Sequence, residues 1–313
     1  MIEIELSSAN SGDVSQTDDD GANGLNLSES SMFIESEQWG RVTWGFTGQP
    51  SDGAPEVDLS GSGYVGYASI ADTAGGFNWQ LTNGGLSGIT LGDVFNDLYG
   101  DTYDIIRYDT PTIAGFTLSA SWGEDDIWDV ALNYEKEWGV FSVAGAVAYT
   151  ENRDADSGGA KANQKTVAGS FSVLHNPTGL NFTFATGQRD FDDTPLRNEA
   201  TFYYFKGGLY RQFNSLGKTA FYGEYGQFDM FYTTDAAVVG NLTAVAGAVI
   251  QGSEAEVFGF GLVQYVDAAA MQLFIGYRHY EVDFNVVNAA GAAITHTGAQ
   301  DFDTVMAGAR IEF

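Results

Sequence analysis

The chain has 313 residues, no cysteine, and 42 acidic against 13 basic side chains, a formal net charge of −29. The missing cysteines exclude disulfides, thiol nucleophiles and thiolate metal sites. The acidic excess excludes nucleic acid as a partner, since binding phosphates needs clustered Lys and Arg; it should attract cations instead.

Glycine (40), Phe (22) and Tyr (16) are abundant and Pro (5) is scarce, which suits a large antiparallel sheet better than a helical protein. No stretch approaches the roughly 18 uninterrupted apolar residues of a membrane helix. The nearest runs from Ala236 to Ile250 and is broken by Asn241 and Thr243. The chain opens Met1-Ile2-Glu3-Ile4-Glu5-Leu6, alternating as a strand, with no charged n-region, apolar h-region or cleavage site.

Period-2 alternation predicts strands near 1–8, 27–37, 40–47, 103–109, 115–122, 127–137, 139–150, 163–174, 179–188, 200–212, 217–229, 254–266, 270–282 and 301–313. Many have about the 9–11 residues that a tilted strand needs to cross a bilayer. Phe116, Leu118, Ala120 and Trp122 oppose Thr117, Ser119 and Ser121. Trp128, Val130, Leu132 and Tyr134 oppose Asp129, Asn133 and Glu135, and Leu180, Phe182 and Phe184 oppose Asn181 and Thr183. Leu273, Ile275 and Tyr277 oppose Gln272 and Arg278. In water the apolar face would need a second layer. The sequence offers no amphipathic helices and no second set of strands to supply one, whereas lipid would cover that face.

Connections alternate along the chain. Short ones lie at Glu37–Gly40, Thr110–Gly115, Glu137–Gly139, His175–Gly179, Phe213–Gly217 and Val266–Ala270. Long ones lie at Ser8–Asn26, Gly48–Thr102, Glu151–Ala162, Arg189–Glu199, Asp229–Ser253 and Asp283–Gln300, with a short acidic one at Gly123–Asp126. This rotation predicts an all-β, transmembrane up-and-down antiparallel β-barrel, 1–313 forming a single domain, with tight turns at one end and extended loops at the other. Trp39, Trp44, Tyr108, Trp122, Trp128, Trp138 and Tyr149 fall near strand ends, as aromatic girdles at two membrane interfaces would; ordinary β-core aromatics are the alternative.

The run Arg107-Tyr108-Asp109-Thr110-Pro111-Thr112-Ile113-Ala114-Gly115-Phe116-Thr117-Leu118-Ser119-Ala120-Ser121-Trp122-Gly123 resembles a segment of Gram-negative general porins, of alphaproteobacterial type. Glu37-Gln38-Trp39-Gly40-Arg41-Val42-Thr43-Trp44-Gly45 is similar to the strand pair preceding the family's pore loop, and Phe313 to its C-terminal assembly signal. The resemblance implies an outer-membrane location, contact with lipid and lipopolysaccharide, a homotrimer, and passive diffusion of small hydrophilic solutes and ions. It also implies sixteen strands and a signal peptide, where about fourteen strands are counted. The expectation is a chain lacking the signal and first hairpin.

The longest connection, Gly48–Thr102, carries Asp52, Glu56, Asp58, Asp72, Asp93, Asp97 and Asp101 and no Lys or Arg. By resemblance, 48–102 folds into the barrel as a constriction loop. Alternation places Arg41, Arg107, Arg189, Lys206, Arg278 and Arg310 on the polar side of their strands; an Arg facing lipid at the midplane would cost roughly 2–4 kcal/mol. The resulting expectation is an eyelet with acidic Asp72, Asp93, Asp97 and Asp101 opposite basic Arg41, Arg107, Arg278 and Arg310, in a channel preferring cations. Arg pairing with neighbouring acids for stability is the alternative role. Asp18-Asp19-Asp20 and Glu124-Asp125-Asp126 offer oxygen ligands suited to Ca²⁺ but lack EF-hand spacing, so a solvated acidic rim is favoured and no cofactor is expected.

Gly61-Ser62-Gly63-Tyr64-Val65-Gly66 matches G-x-G-x-x-G without a strand–turn–helix context and reads as loop. His175, His279 and His296 have no ligand spacing and no nucleophile beside them, so no enzyme is expected. A substrate-selective channel, for a sugar or an anion, and a non-pore barrel such as an adhesin remain alternative readings.

Overall fold

The computed structural model describes residues 2–7, 15–16, 24–123, 126–157, 160–191 and 199–311. Met1, Asp18-Asp19-Asp20, Glu124-Asp125 and Phe313, on which the start, Ca²⁺ and assembly-signal expectations fall, lie outside the described residues.

The strands are β1 (Ile2–Ser7), β2 (Gly24–Ser36), β3 (Gly40–Gly48), β4 (Asn78–Gln80), β5 (Leu86–Thr90), β6 (Thr102–Asp109), β7 (Phe116–Gly123) and β8 (Ile127–Trp138). They continue with β9 (Phe141–Ser157), β10 (Ala160–His175), β11 (Leu180–Phe191), β12 (Glu199–Gln212), β13 (Lys218–Asp229), β14 (Val249–Val266), β15 (Met271–Val287) and β16 (Phe302–Ile311). Fourteen form one antiparallel sheet in the order β1-β2-β3-β6-β7 and onward to β16, with β4-β5 as a separate hairpin. Every main-sheet strand pairs with its neighbours along the chain. That is the up-and-down order expected, and β3 pairs directly with β6, so residues 49–101 leave and re-enter within one hairpin.

The sheet curls back on itself. Laid flat, fourteen strands would separate the end strands by roughly 60 Å, at about 4.8 Å per spacing. Here the three residues of β4 touch both ends. The Asn78 amide donates to the Gln16 side chain, between β1 and β2, at 2.8 Å. The Gln300 amide, just before β16, donates to the Gln80 carbonyl at 2.8 Å, and Leu81 bridges to Ala299. No β1–β16 ladder is present among the described residues.

Alternation sorts the two faces. Outward Ile34, Ile106, Trp122, Phe260 and Val305 are 61–71% exposed, and nothing layers over them among the described residues. Inward-facing Ser119, Ser121, Ser172 and Thr183 are buried. Exposed Trp39, Tyr108 and Trp138 mark the short-turn end; Trp122, paired with Trp128, marks the other, where Trp128 packs on Tyr149 with centroids 5.3 Å apart.

Each short turn closes on a residue with positive φ: Gly40, Gly115, Gly139, Gly179, Gly217 and, alone among them, Ala270 at 45°. Gly40 has a second constraint, because a Cβ there would sit 2.1 Å from the Asp109 carbonyl oxygen.

Several connections are more ordered than their sequence suggests. β9 and β10 run on to Ser157 and from Ala160, through the stretch expected as loop. The sequence there is polar at most positions, so no alternation signals the extension. Ala236–Leu242 forms a short helix, α2, its amides at 237 and 238 capped by Asp235; Val239 and Leu242 bury against the segment below. This replaces the expectation of a chain without an amphipathic helix: a seven-residue helix shows too few turns to establish a period.

Candidate pore constriction

Segment 49–101 is a folded insert rather than a bare strap. Its hairpin β4–β5 and a one-turn helix α1 (Leu91–Val94) carry Trp79, Leu81, Ile89, Leu91, Val94 and Phe95 into a core shared with wall residues Phe202, Phe228 and Tyr280. Phe95 meets Phe228 edge-on at 5.1 Å. This apolar contact holds the outer half of the insert against β12–β15.

The lower half is pinned strand by strand to the inner wall. The Arg107 guanidinium on β6 donates to the carbonyls of Gly48 and Gln49 at 3.0 and 3.3 Å. The Ser51 amide donates to Asp129 on β8 at 2.7 Å. The amides of Val57 and Leu59 donate to Ser170 and Ser172 on β10 at 3.0 and 2.9 Å. Tyr265 on β14 donates to the Gly61 carbonyl at 2.9 Å. Small hydroxyls on the wall thus satisfy an extended backbone that has no strand partner.

Two buried ion pairs complete the attachment. Lys206 Nζ lies 2.7 Å from Asp58 Oδ2, and donates also to Ser62 Oγ at 3.2 Å and to the Gly66 carbonyl. Arg278 Nε lies 2.7 Å from Glu224 Oε1 and its Nη1 donates to Thr73 Oγ1 at 2.9 Å, with further bonds to the Ile70 and Tyr67 carbonyls. Burial works against Asp58 ionisation, but the Lys206 ammonium and the Ser60 hydroxyl and amide hold its carboxyl below its ordinary value. Arg278 is 3% exposed, so its charge is spent on Glu224 and the insert.

Arg41 donates to Thr43 at 3.1 Å and lies over the Phe33 ring at 3.9 Å. Arg41 and Arg107 line one cavity of about 290 Å³ with Glu29, Thr47, Asp52 and Asp109; Arg107 forms a 2.9 Å ion pair with Asp109. Arg310 stacks on Tyr64 at 3.5 Å on the far wall. Asp93 caps α1, accepting from the Thr90 amide and hydroxyl at 2.7 Å each. Asp101 accepts from the Thr102 amide at 2.7 Å and lines a second cavity with Tyr99, Tyr103, Gln164 and Arg189. Asp72 accepts from the Tyr67 hydroxyl.

Asp97 has a partner that sequence alone did not reveal. Its carboxylate is buried and no N–H or O–H donor reaches either oxygen. What faces it within hydrogen-bonding reach is the Glu56 carboxyl, 41 positions earlier in the insert. Two carboxyl groups can bond only through a shared proton. Burial, with Asp72 and Asp52 nearby, pushes Glu56 up to about 7, and burial together with Glu56 pushes Asp97 well above the ordinary range. Sequence placed Glu56 and Asp58 on the acidic segment and Arg189 and Lys206 on the polar face; which acid met which base depended on how the insert folds.

No protein-family model matches the sequence, and no curated protein matches it. The fold is similar to that of the anion-selective porin from Comamonas acidovorans, with a TM-score of 0.56, 14% identity, and 95% of this chain and 81% of that one covered. It is also similar to OmpT, an outer-membrane protein of Vibrio cholerae in a trimer form, with a TM-score of 0.52, 13% identity and coverage of 90% and 80%. The chain has the fold of Gram-negative outer-membrane porins, a transmembrane up-and-down β-barrel.

Proposed function

We propose that this porin-fold chain works as one barrel domain, a water-filled channel in the outer membrane of a Gram-negative bacterium through which small hydrophilic solutes and ions diffuse passively. The observation that carries this reading is the insert 49–101, which starts and ends in the β3–β6 hairpin and is fastened to the inner wall from β6 to β16. An outward face of exposed aliphatic and aromatic side chains suits lipid, and lipopolysaccharide at the outer rim. The C. acidovorans and V. cholerae proteins share the fold, and the trimer form described for the latter supports a homotrimer here.

Ion preference follows from which charges stay open to the passage. Lys206 and Arg278 are buried in pairs with Asp58 and Glu224, and Arg107 is paired with Asp109. The cavities are lined by Glu29, Asp52, Asp101, Glu135 and Glu137 against Arg41, Lys136 and Arg189. The surplus is negative, so cations are favoured. Asp101 and Asp72 on the insert and Arg41 on the wall set the transverse field near neutral pH, with Arg107 held against Asp109 beside them and Asp97 adding charge only once it ionises; Asp93, Arg278 and Arg310 hold the insert in place.

The similarity to an anion-selective porin, with Arg41 and Arg107 lining one cavity and Arg189 another, supports anion preference as the second reading. Reversal potentials in planar bilayers under a KCl gradient separate the two. A potential of the sign set by K⁺ supports the first; the opposite sign establishes the second.

A further inference from the structure

The outward face of β15–β16 carries a constellation unrelated to the passage. His279 on β15 pairs across the ladder with Asp303 on β16, and Tyr280 pairs with Phe302. One step further, Glu281 stands on the same face of β15, and Asp301 lies beside it just before β16 begins. Two antiparallel strands thereby gather one imidazole and three carboxylates into a four-cornered patch; directly opposed Cβ atoms are about 4.5–5.5 Å apart. It sits where the outward apolar band ends: Phe258 packs on the His279 ring at 4.8 Å and Phe260 on Tyr277 at 5.3 Å.

The two ring nitrogens of His279 face different partners. Nδ1 lies 2.8 Å from Asp303, whose Oδ1 also accepts from the Tyr277 hydroxyl at 2.6 Å. Nε2 lies 3.1 Å from Glu281. Ligand atoms of His279, Glu281 and Asp301 all fall within 4.8 Å of one another, and the two carboxylates are exposed. A neutral imidazole carries one N–H. With that proton on Nδ1, donated to Asp303, Nε2 presents a lone pair toward two carboxylates. A metal-bound histidine usually donates its other ring N–H to a carboxylate in this way.

We propose that His279 Nε2, Glu281 and Asp301 bind a borderline divalent cation of the Zn²⁺ class, with Asp303 and Tyr277 as positioning residues. Donors at about 2.0–2.2 Å from such an ion need to close in by about an ångström, which the exposed Glu281 and Asp301 side chains reach by rotation. An imidazole nitrogen among only three protein ligands selects against Ca²⁺, which takes about six to eight oxygens. The fourth position opens outward, to water or to a headgroup phosphate.

The test is Zn²⁺ binding to the chelator-stripped, detergent-purified protein at pH 7.5, read by competition with a chromophoric chelator. One equivalent should bind, equimolar Ca²⁺ should not displace it, and His279→Gln and Asp301→Asn should each weaken it by at least about tenfold, Asp303→Asn by less. His296→Gln should change nothing. Far-UV circular dichroism confirms that each variant is folded, and the exposed Asp301 serves if the strand variant is not. Equal affinity in wild type and in either folded ligand variant, or displacement of Zn²⁺ by equimolar Ca²⁺, overturns the proposal: His279 is then an imidazolium paired with its neighbours.

Discussion

Lys206 and Asp58 meet at 2.7 Å with both side chains almost wholly buried, one from the middle of β12 and the other from an insert 148 positions earlier in sequence. Removing one partner leaves an uncompensated buried charge, a cost of about 3–5 kcal/mol. Asp58→Asn or Lys206→Met should therefore loosen residues 57–66 while leaving the sheet intact. Faster limited proteolysis within the insert, with an unchanged far-UV spectrum, is the expected outcome. Replacing both together by apolar residues of similar volume should cost less than either alone, which a double-mutant cycle on insert opening would register.

The Glu56–Asp97 pair gives the insert a pH response near neutrality. A carboxyl whose folded value is raised binds its proton more tightly in the folded state than in the unfolded one. Stability then falls as pH rises from about 4.5, the ordinary value for Glu, through about 7, and the full cost persists above. Raising pH from 6 to 8 also adds negative charge at the insert. Cation preference should rise across that interval in bilayer recordings, with a midpoint near 7, and Glu56→Gln should flatten the response. The same midpoint in the Gln variant would assign it to another group.

Charge reversal at Arg41 or Arg107 should move the reversal potential further toward cation preference, because both line the cavity facing Asp52. Arg107→Glu should also add current noise, since Arg107 anchors the carbonyls of Gly48 and Gln49. Arg278→Gln should unsettle the insert without a comparable change in selectivity. Its charge is already matched by Glu224.

Ala270 occupies the left-handed position that Gly fills in the other short turns. Relief of that conformation exceeds the extra chain entropy Gly brings, so Ala270→Gly should stabilise by about 0.5–1 kcal/mol in urea unfolding. Gly40→Ala should destabilise by more than this, since its Cβ would collide with the Asp109 carbonyl.

Much of this architecture was legible in the sequence. Strand order, facing and the rotation of short and long connections all follow from a period of two, and Ser119, Thr183 and Arg278 point inward where alternation put them. The interior of the insert was not legible. Its hairpin strands are three and five residues long and α1 is a single turn, too short for any period to show. The pairings Asp58–Lys206, Arg278–Glu224 and Glu56–Asp97 are long-range and carry no spacing signature. Asp93 illustrates the limit: as one acid among seven it looks like any other, and its bonds to Thr90 make it a helix cap.

A channel requires that the space beside the insert conducts. Single-channel recording of the purified protein in planar bilayers tests it most directly. Discrete openings are expected, with a linear current–voltage relation at low voltage and a conductance that scales with salt. Reconstituted, folded protein that leaves the bilayer electrically silent would contradict it.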